Sequence, residues 1–376
     1  MNSRNLLSTS FALTIVWNLR RTLCPMLLAA AFLIGPCQPG LAQYEALDLG
    51  PDEPAAPELP AAGVTLFQNV RIFDGKNAEL SAPSSVLVRG NTIEQISANP
   101  AATEAGAAVR VIDGNGRVLM PGLIDAHWHM FMAAVSPAIL VTADSGYLNL
   151  LAAREAKATL MRGFTTIRDM GGPVFGLKRA IDEGVTVGPR IYPSGAMISQ
   201  TSGHGDFRFH FEVPRALGGP LSQSELAGIA AIADSPDEVR LRAREQLRHG
   251  ASQIKLMGGG GVSSPHNPIE SIQFTEAELH AAVEAAENWG TYVAVHAYTP
   301  AAIRQAIAAG VKCIEHGQLI DEPTAKLLAE KGIWWSLQPL TYNAEVFARM
   351  SPVSQKKALG KTRILPAAHF NYQHLT

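Results

Sequence analysis

The chain reads as an α/β protein. Its larger part is a (β/α)8 barrel, incomplete at the C-terminal side, and a small β-module precedes it. Three observations predict this. Seven short apolar segments of strand character recur between Val118 and Gln338. Helical stretches with their own start and stop signals separate them. A run of brief alternating segments with turn dipeptides comes before. Repeated strand–helix units imply a parallel sheet, and their number favours a closed barrel over an open sheet.

The β-module spans 64–117. Val64–Phe67, Val70–Phe73, Ser85–Arg89, Thr92–Ile96 and Val109–Ile112 each fit a strand, with turns at Asp74-Gly75, Gly90-Asn91 and Asp113-Gly114. The barrel takes the remainder, 118–376. Its strands are expected at Val118–Ala126, Thr165–Arg168, Arg190–Pro193, Gln253–Met257, Tyr292–Ala297, Cys313–His316 and Ile333–Gln338. Ser235-Pro236-Asp237-Glu238 supplies an N-cap, a first-turn proline and a capping-box glutamate, and Gly250 closes that helix. Thr275 and Glu278 form a second capping box, with Gly290 as the stop. Thr299-Pro300 opens a third helix, which Gly310 ends.

The first 42 residues have the form of an export signal. Arg20 and Arg21 precede the apolar run Met26–Ile34, and Gly40-Leu41-Ala42 offers small residues for cleavage. The run is shorter than the roughly 20 residues that a membrane span needs. A periplasmic or secreted location follows as the expectation, with a Pro- and Ala-rich linker over 43–63. Cleavage would remove Cys24 and Cys37 and leave Cys313, so no internal disulfide is expected. The chain is near neutral, with a formal charge of −2 and 17% charged residues, and no basic run. That composition excludes a nucleic-acid binder. It leaves the oligomeric state open, a homo-oligomer included.

The chemistry lies at the strand ends. His127 and His129 flank Trp128 at the end of the first barrel strand, where alternation puts both imidazoles on one side, able to share an ion. Lys255 sits in the apolar strand Gln253–Met257, a costly place for an ammonium unless it is paired or chemically altered. Burial lowers a lysine's pKa, and a neutral amine reacts with carbon dioxide to give an anionic, two-oxygen carbamate that can bridge two cations. His296 ends the fifth strand, His316 ends the sixth, and Tyr298 lies two residues past His296. Barrel enzymes place their active sites on this face. The run Gly258–Gly261 lacks the Lys-Ser/Thr of a phosphate loop, so nucleotide binding is rejected. His210, His249, His266, His280, His369 and His374 show no ligand spacing.

Leu119-Met120-Pro121-Gly122-Leu123-Ile124-Asp125-Ala126-His127-Trp128-His129 resembles the opening motif of the amidohydrolase superfamily, and Gly163–Asp169 resembles its second strand. Ser202–Asp206, Lys255, Val295–Thr299 and Ile314–Gly317 are similar to its Xaa-Pro dipeptidase and aminoacyl-amino-acid carboxypeptidase branch. The resemblance covers about 64–340. It implies a β-sandwich beside the barrel, two divalent ions of the zinc type and a carboxylated Lys255. His127 and His129 would hold the more buried ion, His296 and His316 the other, and Lys255 would bridge them. A bridging hydroxide would then attack the amide carbonyl of a dipeptide or N-acyl amino acid. Tyr298 would polarise that carbonyl, Arg304 would pair with a substrate carboxylate, and His204, in a Gly-rich loop, would touch substrate.

The superfamily also implies an aspartate at the end of an eighth strand. After His316 the only aspartate is Asp321, too near to reach that strand, and no eighth strand or returning sandwich strand is visible before Thr376. The expectation is a barrel truncated before strand eight. Two alternatives stay open. One is a mononuclear deaminase or imidazolonepropionase-like hydrolase, against which the bridging lysine counts. The other is a metal-binding product without turnover.

Overall fold

The structure, a computed structural model, describes residues 63–98, 109–264, 266–338, 347–348 and 350–362. The export signal expected over 1–42, almost all of the linker expected over 43–63, and His369 and His374 lie outside the described residues.

The N-terminal module is one sheet. Strands β1 (Val64–Ile72), β2 (Ser84–Arg89), β3 (Thr92–Ser97) and β4 (Val109–Asp113) lie in the order β3-β2-β1-β4, and β5 (Val118–Leu119) pairs with β1. The two strands expected at Val64–Phe67 and Val70–Phe73 are a single strand with a bulge between them. Asn69 turns the chain there with φ 53°, a conformation that asparagine tolerates better than most residues. Val64, Leu66 and Leu87 form the small core of this sheet. A second layer, which would make it a sandwich, is not among the described residues.

The first barrel strand is shorter than the sequence indicates. Val118–Ala126 divides at Pro121-Gly122 into β5 and β6 (Leu123–Trp128), because proline offers no N–H to a ladder. Three helices follow: α1 (Met130–Ala134), α2 (Pro137–Thr142) and α3 (Ser145–Met161). Then come β7 (Phe164–Asp169), α4 (Phe175–Asp182), β8 (Arg190–Pro193) and β9 (Met197–Ser199). The short pieces α5 (Gln223–Leu226) and β10 (Ala230–Ile232) lead into a regular series. It runs α6 (Pro236–Arg248), β11 (Ile254–Met257), α7 (Glu276–Glu287), β12 (Val293–Ala297), α8 (Pro300–Ala308), β13 (Cys313–His316), α9 (Glu322–Glu330), β14 (Trp334–Ser336) and α10 (Pro352–Thr362).

These strands form two parallel arcs, β6-β7-β8 and β10-β9-β11-β12-β13-β14. The chain passes from one arc to the other at Ser194–Ala196, where Gly195 has φ 72°. A Cβ there would lie 2.3 Å from the Gln246 amide oxygen and 2.8 Å from the Phe175 ring, so the break needs glycine. Barrel strands therefore follow in the order β6, β7, β8 with β9, β11, β12, β13, β14. Among the described residues, no strand lies between β6 and β14.

Helix starts follow their sequence signals. Thr275 and Glu278 make the reciprocal capping box of α7, and Thr299 caps α8 by accepting from the Ala302 amide. At α6, Ser235 caps as expected, but the Glu238 carboxylate accepts from the Asp234 amide and not from that of Ser235. The outer faces of β11, β12 and β13 contribute Ile254, Leu256, Val293, Val295 and Ile314 to a core shared with α6–α9. Lys255, His296 and Glu315 alternate with these residues and so face the barrel axis.

Candidate active site

Six of the sequence-derived residues come together. The His127 and His129 rings lie 5.1 Å apart, those of His127 and His316 4.6 Å, and those of His296 and His316 4.5 Å. Tyr298 stands 4.8 Å from the His296 ring, and His204 stands 4.3 Å from it on another side. β6 carries a register shift between Asp125 and Trp128, and Trp128 packs toward the helix-side core while His127 and His129 stand together. His316 reaches the group by a different device. Ile314 faces the helices and Glu315 the axis, so the next side chain should turn outward. A φ of 75° at His316 brings it back to the axis side.

Hydrogen bonds orient the rings. His129 Nδ1 lies 3.2 Å from the Gly171 carbonyl and His296 Nε2 3.1 Å from the Gly260 carbonyl. A carbonyl only accepts, so each of these nitrogens carries the proton. The other nitrogen of each ring, Nε2 of His129 and Nδ1 of His296, keeps its lone pair. Burial pushes His129 down to about 4, with the Lys255 charge adding to it and the Gly171 bond and Glu315 opposing. His296 lies well below its ordinary value through burial first, then the neighbouring His204, His316 and Lys255 charges, against the Gly260 bond. Both are neutral at pH 7, the form that binds a metal.

Lys255 is fully buried, and its Nζ has no hydrogen-bond partner. Burial brings its ammonium down to about 8; Arg168 pushes the same way, while Glu315 and Cys313 oppose. An orphaned amine of this kind is costly in any folded protein. Among the described residues, no group of three or more His, Cys, Asp or Glu side chains is gathered tightly enough to hold an ion by itself. Neutral imidazoles around a buried amine with unused bonding capacity are nevertheless a donor set that fits divalent cations of the zinc type, once the amine supplies an anionic oxygen donor.

The structure does not bring Arg304 to this group. α8 buries Ala302, Ile303, Ala306 and Ile307, which leaves Arg304 exposed. Its guanidinium holds Asp321, the N-cap of α9, at 2.9 and 3.1 Å. Two residues without a role in the sequence reading belong to the site. Glu315 is buried with an oxygen 2.6 Å from His127 Nδ1, and Arg168 binds its other oxygen. Asp169, also fully buried, accepts from the amides of Met130 and Gly171, and burial raises it to about 7. The signal for Glu315 was present. A carboxylate within the apolar strand Cys313–His316 is as anomalous as Lys255 in its own strand.

Paired carbonyl-oriented imidazoles, a desolvated lysine and a tyrosine gather at the carboxyl ends of the parallel strands. The sequence profile of the amidohydrolase family matches residues 118–364, and the chain belongs to that family. It is 38% identical to the ochratoxinase of Aspergillus niger over 227 residues, which are 57% of this chain and 46% of that protein. The chain thus spans about half the length of this curated relative. Among solved structures it resembles a prolidase complexed with N-methylphosphonate-L-proline, with a TM-score of 0.76 and 34% identity over 83% of this chain and 76% of that one. A Xaa-Pro dipeptidase with bound methionine superposes with a TM-score of 0.71 and 28% identity, covering 83% and 77% of the two chains.

Proposed function

We propose that this chain carries the catalytic barrel of a metal-dependent hydrolase of amide bonds. Its substrates are dipeptides of the Xaa-Pro type or N-acyl amino acids. The observation that carries the reading is the buried, unpartnered Lys255 amine among His127, His129, His296 and His316. The likeness to a prolidase, a Xaa-Pro dipeptidase and an ochratoxinase supports the substrate class.

His127 and His129 would hold one zinc-type ion, His296 and His316 a second, and Lys255, as its carbamate, would join them. Such ions supply Lewis acidity and an activated water. The chain's own groups do the rest. The carbonyls of Gly171 and Gly260 fix the tautomers of His129 and His296. Tyr298, buried beside His296, presents its hydroxyl to the substrate carbonyl, and His204 closes the opposite side of the His296 ring. Arg304, whose Nη2 already holds both oxygens of Asp321, would anchor the substrate's own carboxylate on exchanging Asp321 for it.

The test combines metal counting with a substrate panel. Protein reconstituted with zinc and bicarbonate is expected to retain two ions per chain by elemental analysis and to release free amino acid from Xaa-Pro dipeptides or N-acyl amino acids. One retained ion would favour the mononuclear deaminase or imidazolonepropionase-like reading, and none would refute both.

A further inference from the structure

Beneath the histidines lies a buried ionic chain that the proposed reaction does not use. Glu315 is fully buried, and both its oxygens are committed. Oε2 lies 2.6 Å from His127 Nδ1. Oε1 accepts from Arg168 Nη2 and, at 3.1 Å, from the Cys313 thiol. The rest of the Arg168 guanidinium is fixed too: Nε donates to the Ala126 carbonyl at 2.6 Å and Nη1 to the Tyr292 hydroxyl at 3.1 Å. Ala126 immediately precedes His127 in β6. The arginine therefore ties the carboxylate on β13 to the backbone that carries the histidine.

From this geometry we infer that Glu315, held by Arg168, is a positioning residue for His127. It accepts the Nδ1 proton, and the Nε2 lone pair stays available to an ion. A carboxylate whose two oxygens are spent on a guanidinium, a thiol and an imidazole has little capacity left to bind a cation itself. The arginine balances its charge in a buried place where an unpaired carboxylate would be costly. A ligand histidine held this way has its tautomer and ring direction set before the ion arrives. For the metal ligand the inference rests on the function proposed above. For the tautomer it rests on the hydrogen bonds alone.

Two readouts separate the claims. The first uses the metal-free protein, labelled with nitrogen-15 in its histidines, at pH 8. Long-range nitrogen–proton spectra are expected to show Nδ1 of His127 protonated. Glu315→Gln is expected to move that resonance, because a neutral amide is a weaker acceptor for Nδ1 and leaves Arg168 without its counter-charge. Finding Nδ1 of His127 unprotonated in the native protein overturns the inference whatever the metal data show. The second is titration with cobalt(II), read by visible absorbance. Glu315→Gln and Arg168→Met are each expected to weaken binding by about 10–100-fold. Cys313→Ser, which touches the same carboxylate but no histidine, is expected to leave the affinity unchanged. Unchanged cobalt affinity in both variants, with only the melting temperature lowered, would mark the chain of contacts as purely structural and overturn the inference. Failure of the native protein to bind cobalt while Nδ1 is protonated would sink the proposed function and leave the tautomer assignment standing.

Discussion

Gly261 stands against the ring of His204: a Cβ at this glycine would lie 1.9 Å from Cε1 and 2.0 Å from Nδ1. His204 is itself buried, with its ring 4.3 Å from that of His296. The loop is also held from behind by Lys357 of α10, which donates to the carbonyls of Gly261, Ser264 and Asn267. Gly261→Ala should therefore displace His204 and not the loop. Displacement on the order of 1 Å near reacting groups costs about 100-fold in rate, and overpacking costs about 1–3 kcal/mol of stability. Kinetics on a cleaved dipeptide, alongside thermal melting, check both. A variant with native kcat/KM would show that His204 takes no part in the site.

Lys255 gives a pH dependence whose sign can be worked out. Its folded-state value, about 8, lies below its ordinary 10.5. Between these values the unfolded chain binds more protons than the folded one, so stability rises with pH in that window. Below about pH 8 the lysine is charged in both states and the whole penalty of burying it is felt; above about 10.5 it is gone. Metal-free protein in buffer stripped of carbon dioxide should therefore gain stability against urea from pH 8 toward 10. Lys255→Met should abolish most of that gain. Lys255→Ala should lower retention of two ions, and added bicarbonate should not restore it. Full occupancy and activity in the alanine variant would refute the carbamate.

Arg304 tests substrate recognition. Its pairing with Asp321 is half exposed, and such pairs contribute only about 0–1 kcal/mol, so a substrate carboxylate can replace Asp321 at little cost. Arg304→Met is expected to lower kcat/KM on dipeptides with a free C-terminus by about 10- to 100-fold, the loss of one charged hydrogen bond of about 1.5–3 kcal/mol. The loss on C-terminally amidated dipeptides should be far smaller. Equal losses on both would remove the anchor role.

Strand order and the metal-type residues were legible because period and punctuation agree from α6 to β13. Alternation placed Lys255 and His296 on the axis side, and capping signals set the starts of α7 and α8. Elsewhere local backbone devices override the period. Pro121-Gly122 splits one expected strand, and the left-handed turn at His316 puts two successive side chains on one side. β9 and β10, three residues each, are too short to show a period. Glu315 was missed because a strict two-residue alternation through His316 assigns it to the helix side. Its partner Arg168 sits 147 residues away in sequence, a separation that no local pattern reports.

The last prediction concerns the two edges of the barrel. Among the described residues, β6 pairs only with β7, and β14 only with β13. Apolar side chains on both are uncovered: Ile124 is 69% exposed and Trp334 77%. Between them the axis is not filled but holds a cavity of about 960 Å³, lined by Ile124, Arg168, Tyr192, Tyr292, Cys313 and Trp334 among others. A barrel interior is ordinarily a packed core, and a free, apolar strand edge pairs with whatever strand it meets. The protein is therefore expected to self-associate through these edges. Charged replacements at these edges, Ile124→Lys with Trp334→Lys, should shift the protein toward monomer on light scattering, since a charged edge no longer pairs readily with an apolar strand. Protein that is monodisperse on light scattering, and unchanged by the two lysines, would show that these edges do not drive association.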